Sequence, residues 1–238
     1  MAIEAPAALA ENYERIEAGI AAACRQAGRS RSDVTLMAVS KMHPAAAIVA
    51  AKALGIHLFG ENRVQEFADK ISQVGDGAEF HLIGHLQSNK AAKAAELFAS
   101  VDSLDSLALA QKLNQAAAKL GRRLAVLVEI KLSHEESKSG LEPGTVELQQ
   151  LLEHLPDLSA LEMRGLMTVP PYLRDAEAVR PYFARLRQLR DELAAAHPRL
   201  SFHELSMGMS HDFTAAIAEG ATQVRIGTAL FGPRPKLQ

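Results

Sequence analysis

The chain has 238 residues, 48% hydrophobic and 23% charged, enough apolar material for one sizeable α/β core. Its formal net charge of -2 supplies no global field for nucleic acid or anionic membrane, and 5% aromatics with no Trp argue against a base-stacking platform. The single cysteine, Cys24, excludes an intramolecular disulfide, makes a Cys-based metal site unexpected, and reads as a small core hydrophobe.

Leu9, Tyr13, Ile16, Ile20, Ala23 and Ala27 recur at helical spacing, and Gly28 follows as a stop. Glu4, Glu11, Glu14 and Glu17 interrupt any apolar signal-peptide core, and no run approaches the roughly 18 residues of a membrane span, so a cytoplasmic location is expected. Short apolar runs then alternate with longer amphipathic ones. Strands are expected over 34–40, 57–60, 80–84, 100–104, 124–130, 161–169, 201–206 and 223–226. Helices are expected over 44–54, from 62, from 88, over 105–120, from 143 to about 155, over 175–196 and over 211–218. Alternation of this kind implies parallel strands, because parallel neighbours need crossover helices. Eight repeats in this length predict a single (β/α)8 TIM-barrel domain over 1–238 with an extra N-terminal helix, a doubly wound open sheet being the competing arrangement.

Chemistry in such a barrel collects where strands end. Lys41 closes the apolar run of the first strand, just before Met42-His43-Pro44 breaks it. A partly desolvated lysine offers a neutral amine that can attack an aldehyde to form a Schiff base. A surface lysine with its stem on apolar neighbours is the alternative. The loop after strand seven places Gly208 and Ser210 before a short helix, and strand eight ends in Gly227-Thr228. Both suit an oxyanion, phosphate being often held after strands seven and eight; ordinary N-capping competes. Arg225 alternates against Val224 and Ile226, so it faces either the barrel interior or the helices. Buried, it needs a partner: a carboxylate from another strand such as Glu129, or a ligand at the mouth. A lysine for an aldehyde, two loops for a phosphate and an inward arginine together suggest pyridoxal 5′-phosphate (PLP), with Arg225 facing the pyridine nitrogen.

At this point the chain resembles the pyridoxal phosphate homeostasis proteins, which are similar to the N-terminal barrel of alanine racemase. The motifs, in family order, are A-V-S-K ending at Lys41, F-G-E-N-R-V-Q-E at 59–66, H-L-I-G-H-L-Q-S-N-K at 81–90, S-K-S-G at 137–140, R-G-L-M at 164–167, L-S-M-G-M-S at 205–210 and V-R-I-G-T-A-L-F-G at 224–232. The resemblance implies that Lys41 forms the internal aldimine, that Ser210, Gly227 and Thr228 hold the phosphate, and that Arg225 meets the pyridine nitrogen. It puts Asn62 at the ring's edge, where a helix N-cap with Gln65 in a capping box is the competing role. Met207 and Met209 are read as packing and backbone donors. Met42-His43 and His85 depart from the family pattern, and His43 is expected in a solvated loop. His81 and His85 do not share a helix face, so a metal pair is not expected. His134-Glu135-Glu136 reads as a solvated turn.

Two functions compete. The first is a non-catalytic PLP carrier that limits free aldehyde and affects supply to apo PLP-dependent enzymes. The second is an amino-acid racemase, which needs two bases on opposite cofactor faces. The alanine racemase route takes the second base, a tyrosine, from a further β-rich domain and a dimer partner. The sequence given stops shortly after strand eight, so that domain is expected to be missing and a monomer is expected. Of the three tyrosines, Tyr172 is the one expected near the mouth. A PLP-free Schiff-base aldolase or sugar-phosphate binder is the third reading.

Overall fold

The structure, a computed structural model, describes residues 5–133, 135 and 139–233. Eight parallel strands close on themselves in sequence order, β1 to β8. They are β1 (Thr35–Val39), β2 (Leu58–Glu61), β3 (Glu79–Leu82), β4 (Ser100–Leu104), β5 (Leu124–Glu129), β6 (Leu161–Met167), β7 (Glu204–Met209) and β8 (Gln223–Ile226). Closure is made by β1 against β8, with Thr35 beside Gln223 and Ala38 beside Ile226. The expected barrel is therefore present, and the open sheet is not. A barrel leaves no strand edge, and burial on both faces explains why β4, β5 and β8 are buried at every position.

Around the barrel run α2 (Ala45–Ala53), α3 (Val64–Lys70), α4 (Ala91–Leu97), α5 (Leu107–Lys119), α6 (Val146–His154), α7 (Arg180–Ala196), α8 (Phe213–Ala218) and the short α9 (Thr228–Phe231). The extra helix α1 (Ala7–Gln26) buries Leu9, Ile16, Ile20, Ala23 and Cys24. It packs across the end of the chain: Asn12 Nδ2 donates to Leu230 O at 3.0 Å, and Gly19 leaves room for the Phe213 ring. Cys24 is fully buried, as expected of a core hydrophobe. Ser106 and Thr145 cap α5 and α6 through their hydroxyls, which is where those helices start.

Three expectations need correction. Strand seven runs from 204, not 201, and continues through Gly208 to Met209. Gly208 is expected in the loop after strand seven, yet it sits within the strand at φ +91 where the β7–β8 register shifts, so the strand bends without ending. Helix α3 opens at Val64 behind Arg63 with no side-chain cap, so Asn62 is not the N-cap and no Asn62–Gln65 capping box forms. The segment before α7 forms a 3-10 turn at Glu177–Val179, and the helix proper begins at Arg180. Residues 134 and 136–138, which include part of the S-K-S-G motif and of the proposed His134-Glu135-Glu136 turn, lie outside the described residues.

Candidate binding site at the barrel mouth

A cavity of about 520 Å³ opens at the C-terminal ends of the strands. Lys41, Asn62, Ser210, Arg225, Gly227 and Thr228, the six residues singled out from sequence, all line it. They come from the loops after β1, β2 and β7, from β8, and from Gly227 and the first residue of α9 after it, so the fold gathers positions from one end of the barrel's chain to the other. A larger cavity of about 740 Å³ lies at the opposite end, among the N-terminal strand ends. Barrel chemistry is placed by the loops after the strands, so the mouth is the functional candidate despite its smaller volume.

Lys41 follows β1 in a turn whose next residue, Met42, has φ +64, the one described non-glycine residue with a positive φ. His43 is buried, not solvated as expected, because its ring packs on Phe231 at 5.0 Å between centroids. Asn62 is fixed from below: a Cβ at Gly84 would stand 2.4 Å from Asn62 O and 2.8 Å from its Cα. Only glycine lets the β3 loop pass that close, so the Gly84 of the I-G-H motif is a site determinant that the motif's own spacing does not reveal.

On the far side, Ser210 Oγ accepts the Ala229 amide at 3.3 Å and thereby ties the loop after β7 to the start of α9. Met209 N donates to Asp212 Oδ1 at 2.6 Å, which turns the chain beside Ser210 and buries Asp212 in the cavity wall. The Met209 N–H is thus spent within the loop, and Met207 is fully buried in the core. Gly227 passes Val39 at a distance that a Cβ would tighten to 3.4 Å.

Arg225 points into the barrel and is buried. Among the described residues it forms no ion pair with a carboxylate, Glu129 included. Its Nη1 donates to Ser206 O at 2.6 Å and Ser206 Oγ at 2.8 Å, and its Nη2 to Thr168 O at 2.7 Å. Burial lowers its pKa below the ordinary arginine value, while Asp102, Glu129 and Asp212 act at a distance to favour its charge. These three bonds use three of the five N–H donors of its guanidinium, and the residue lines the cavity. Glu129, held by Ser139 Oγ at 3.0 Å to each oxygen, is shifted upward by burial.

Inside the barrel a polar series links the mouth to the base. Ser206 Oγ also accepts from Gln223 Nε2 at 2.9 Å, and that amide nitrogen reaches Asp102 Oδ2 at 3.3 Å. Asp102 accepts Ser100 Oγ at 2.6 Å and pairs with His81 Nδ1 at 3.1 Å, while His81 Nε2 meets Glu79 at 2.9 Å. His81 is therefore an interior histidine between two carboxylates, whereas His85 is exposed and pairs with Asp105 at 3.0 Å. Among the described residues no group of three ligating side chains could hold a metal, and no helix is long and apolar enough to cross a membrane.

The alanine racemase N-terminal domain profile matches residues 7–235. A pyridoxal phosphate homeostasis protein of Aquifex aeolicus is 43% identical over 225 residues, covering 94% of this chain and 97% of that one. The chain belongs to the pyridoxal phosphate homeostasis protein family. Among solved structures, that of PipY from Synechococcus elongatus PCC7942 with PLP bound is similar at TM-score 0.83 and 40% identity, covering 94% of this chain and 100% of that chain. An alanine racemase of Clostridium difficile 630 aligns at TM-score 0.69 and 20% identity, covering 93% of this chain and 57% of that chain, which establishes a shared fold alone. Membership agrees with the family resemblance carried by the sequence motifs.

Proposed function

We propose that the protein binds PLP reversibly at the barrel mouth, with Lys41 as its covalent anchor, and acts as a carrier without robust catalysis. The observation that carries this reading is the convergence on one cavity of an amine, a side-chain amide, a buried guanidinium and two hydroxyl-bearing loops, six residues in all. When bound, PLP would supply an aldehyde, and Lys41 would hold it through a C=N bond to that carbon, the carbonyl oxygen leaving as water. Ser210, Thr228 and the backbone at Gly227 hold the anionic phosphate. Arg225 meets the ring nitrogen, and being a cation it disfavours a proton there. That weakens the ring's capacity to accept electrons and suits storage better than carbanion chemistry. Asn62 borders the ring. Bound this way, the reactive aldehyde is kept from other amines and remains available to apo-enzymes.

Adding PLP to the apo protein should turn it yellow, and borohydride should fix the ligand mass on Lys41. A protein that stays colourless and takes up no PLP would reject the reading. For the phosphate assignment, Ser210→Ala combined with Thr228→Val should weaken PLP retention about tenfold, the scale of one or two charge-assisted hydrogen bonds. Unchanged retention would show the phosphate to lie elsewhere.

A racemase reading rests on Tyr172, which lines the same cavity and is 75% exposed, beside the His211 ring at 5.4 Å. Exchange of an amino-acid α-proton in deuterated water tests it. No Lys41-dependent exchange is expected; robust exchange would replace the carrier reading.

A further inference from the structure

The turn that presents Lys41 is gripped from behind by a second lysine. Lys70 ends α3, and its side chain is 10% exposed. Its Nζ lies 2.7 Å from Glu61 Oε1 and 3.1 Å from Glu66 Oε1, and it donates to Ser40 O at 3.2 Å and His43 O at 3.3 Å. Those two carbonyls bracket Lys41. The same carboxylates complete the grip: Ser40 Oγ donates to Glu61 Oε1 at 2.6 Å, and Met42 N donates to Glu66 Oε1 at 2.6 Å. Ser40, Met42 and His43 are thus all tied to the Glu61, Glu66 and Lys70 side chains. The left-handed Met42 has an exposed side chain but a backbone tied to Glu66 and flanked by the held Ser40 and His43 carbonyls, the kind of restraint a non-glycine residue needs to keep that conformation.

We propose that Lys70, with Glu61 and Glu66, is a positioning group that sets the direction in which Lys41 enters the cavity, and so governs covalent capture of the ligand. The inference rests on the PLP reading above. Lys70 is itself unsuited to capture. An ammonium has three N–H groups, and here four acceptors compete for them. Glu61 serves the turn at a cost of its own. Its Oε2 is buried without a hydrogen-bond partner, an expense offset because Oε1 holds both Ser40 and Lys70. The free energy retained by the cage appears as orientation of a neighbouring amine, which is how fixed geometry favours bond formation.

The test separates orientation from general binding. Wild type and Lys70→Met are titrated with PLP and, in parallel, with pyridoxine 5′-phosphate, which has an alcohol where PLP has its aldehyde. Lys70→Met is expected to lose about tenfold in PLP affinity, the loss of one charged hydrogen-bonding partner. Binding of the alcohol should stay within about twofold, because the phosphate loops and Arg225 are untouched. In the apo protein, hydrogen exchange at the Met42 amide should also accelerate about tenfold. Equal loss for both ligands, or loss for neither, would overturn the proposal. If Lys70→Met does not fold, Glu66→Ala removes the Met42 acceptor from a partly exposed site and should give the same asymmetry at about threefold. Failure of wild type to form a borohydride-stable Lys41 adduct would instead sink the PLP reading. The cage is then judged on Met42 exchange alone, and an unchanged rate in both variants would end it.

Discussion

Lys41→Ala protein mixed with PLP is expected to stay colourless and to retain no ligand mass after borohydride. Lys41 is the one lysine among the described residues that line the mouth cavity, so none of those residues can substitute for its amine. What remains is the non-covalent share: two hydroxyl-bearing loops, a guanidinium edge and ring contacts. Affinity should therefore fall at least about a hundredfold, roughly 2.7 kcal/mol, as measured by equilibrium dialysis. Ser210→Ala with Thr228→Val should behave differently. There the amine survives, so the yellow species and the borohydride product persist at raised PLP concentration. A Lys41→Ala protein that still yields a reduced, covalently labelled product would move the reactive amine to another residue.

The second large effect concerns stability. His81→Leu is expected to cost about 3–5 kcal/mol, because Asp102 is fully buried and would lose its charged partner. Burial alone would lower the His81 pKa, but Asp102 and Glu79 outweigh it and raise it from 6.5 to about 10. Burial would likewise raise Asp102, yet His81, Ser100 and Gln223 hold it below its ordinary value. A proton held more tightly in the folded state stabilises that state fully below the unfolded histidine value of 6.5. The contribution is lost as pH rises from 6.5 towards 10. The Asp102 contribution runs the other way: present above 3.8, lost as acid protonates the folded carboxylate. Thermal melts of the wild type should thus decline on the alkaline side over that window. His81→Leu should be less stable at neutral pH and should lack that part of the decline. An identical alkaline slope in both proteins would show that His81 does not carry the proton.

Most of the architecture was readable because two periodicities, of strand and of helix, alternate eight times; β4 and β8 fall at the expected boundaries. The mouth residues were readable too, since Lys41, Ser210, Gly227 and Thr228 all follow strands, and barrel loops after strands converge. What stayed hidden has a common cause. The acceptors of Arg225 are the backbone oxygens of Thr168 and Ser206 and a serine hydroxyl, which carry no signature comparable to a carboxylate such as Glu129. Lys70 looks like an ordinary basic residue at a helix C-terminus, favourable to the dipole there. Its grip on the Lys41 turn depends on β1, β2 and α3 meeting in space. β7 extends past its expected end at 206 because Gly208 supports a bend between paired strands, a pairing that the local sequence does not display.

Glu79, His81, Asp102, Gln223, Ser206 and Arg225 stand in series through the hollow of the barrel, each touching the next. A TIM barrel ordinarily fills that space with layers of branched aliphatic side chains. Swapping Asp102 or His81 alone for an aliphatic would leave the other's buried group without its charged partner, so that pair tolerates redesign only as a unit. The cation presented at the mouth is in this sense anchored at the opposite end of the fold, and mutational robustness at the base sets a limit on how freely the binding end can diversify.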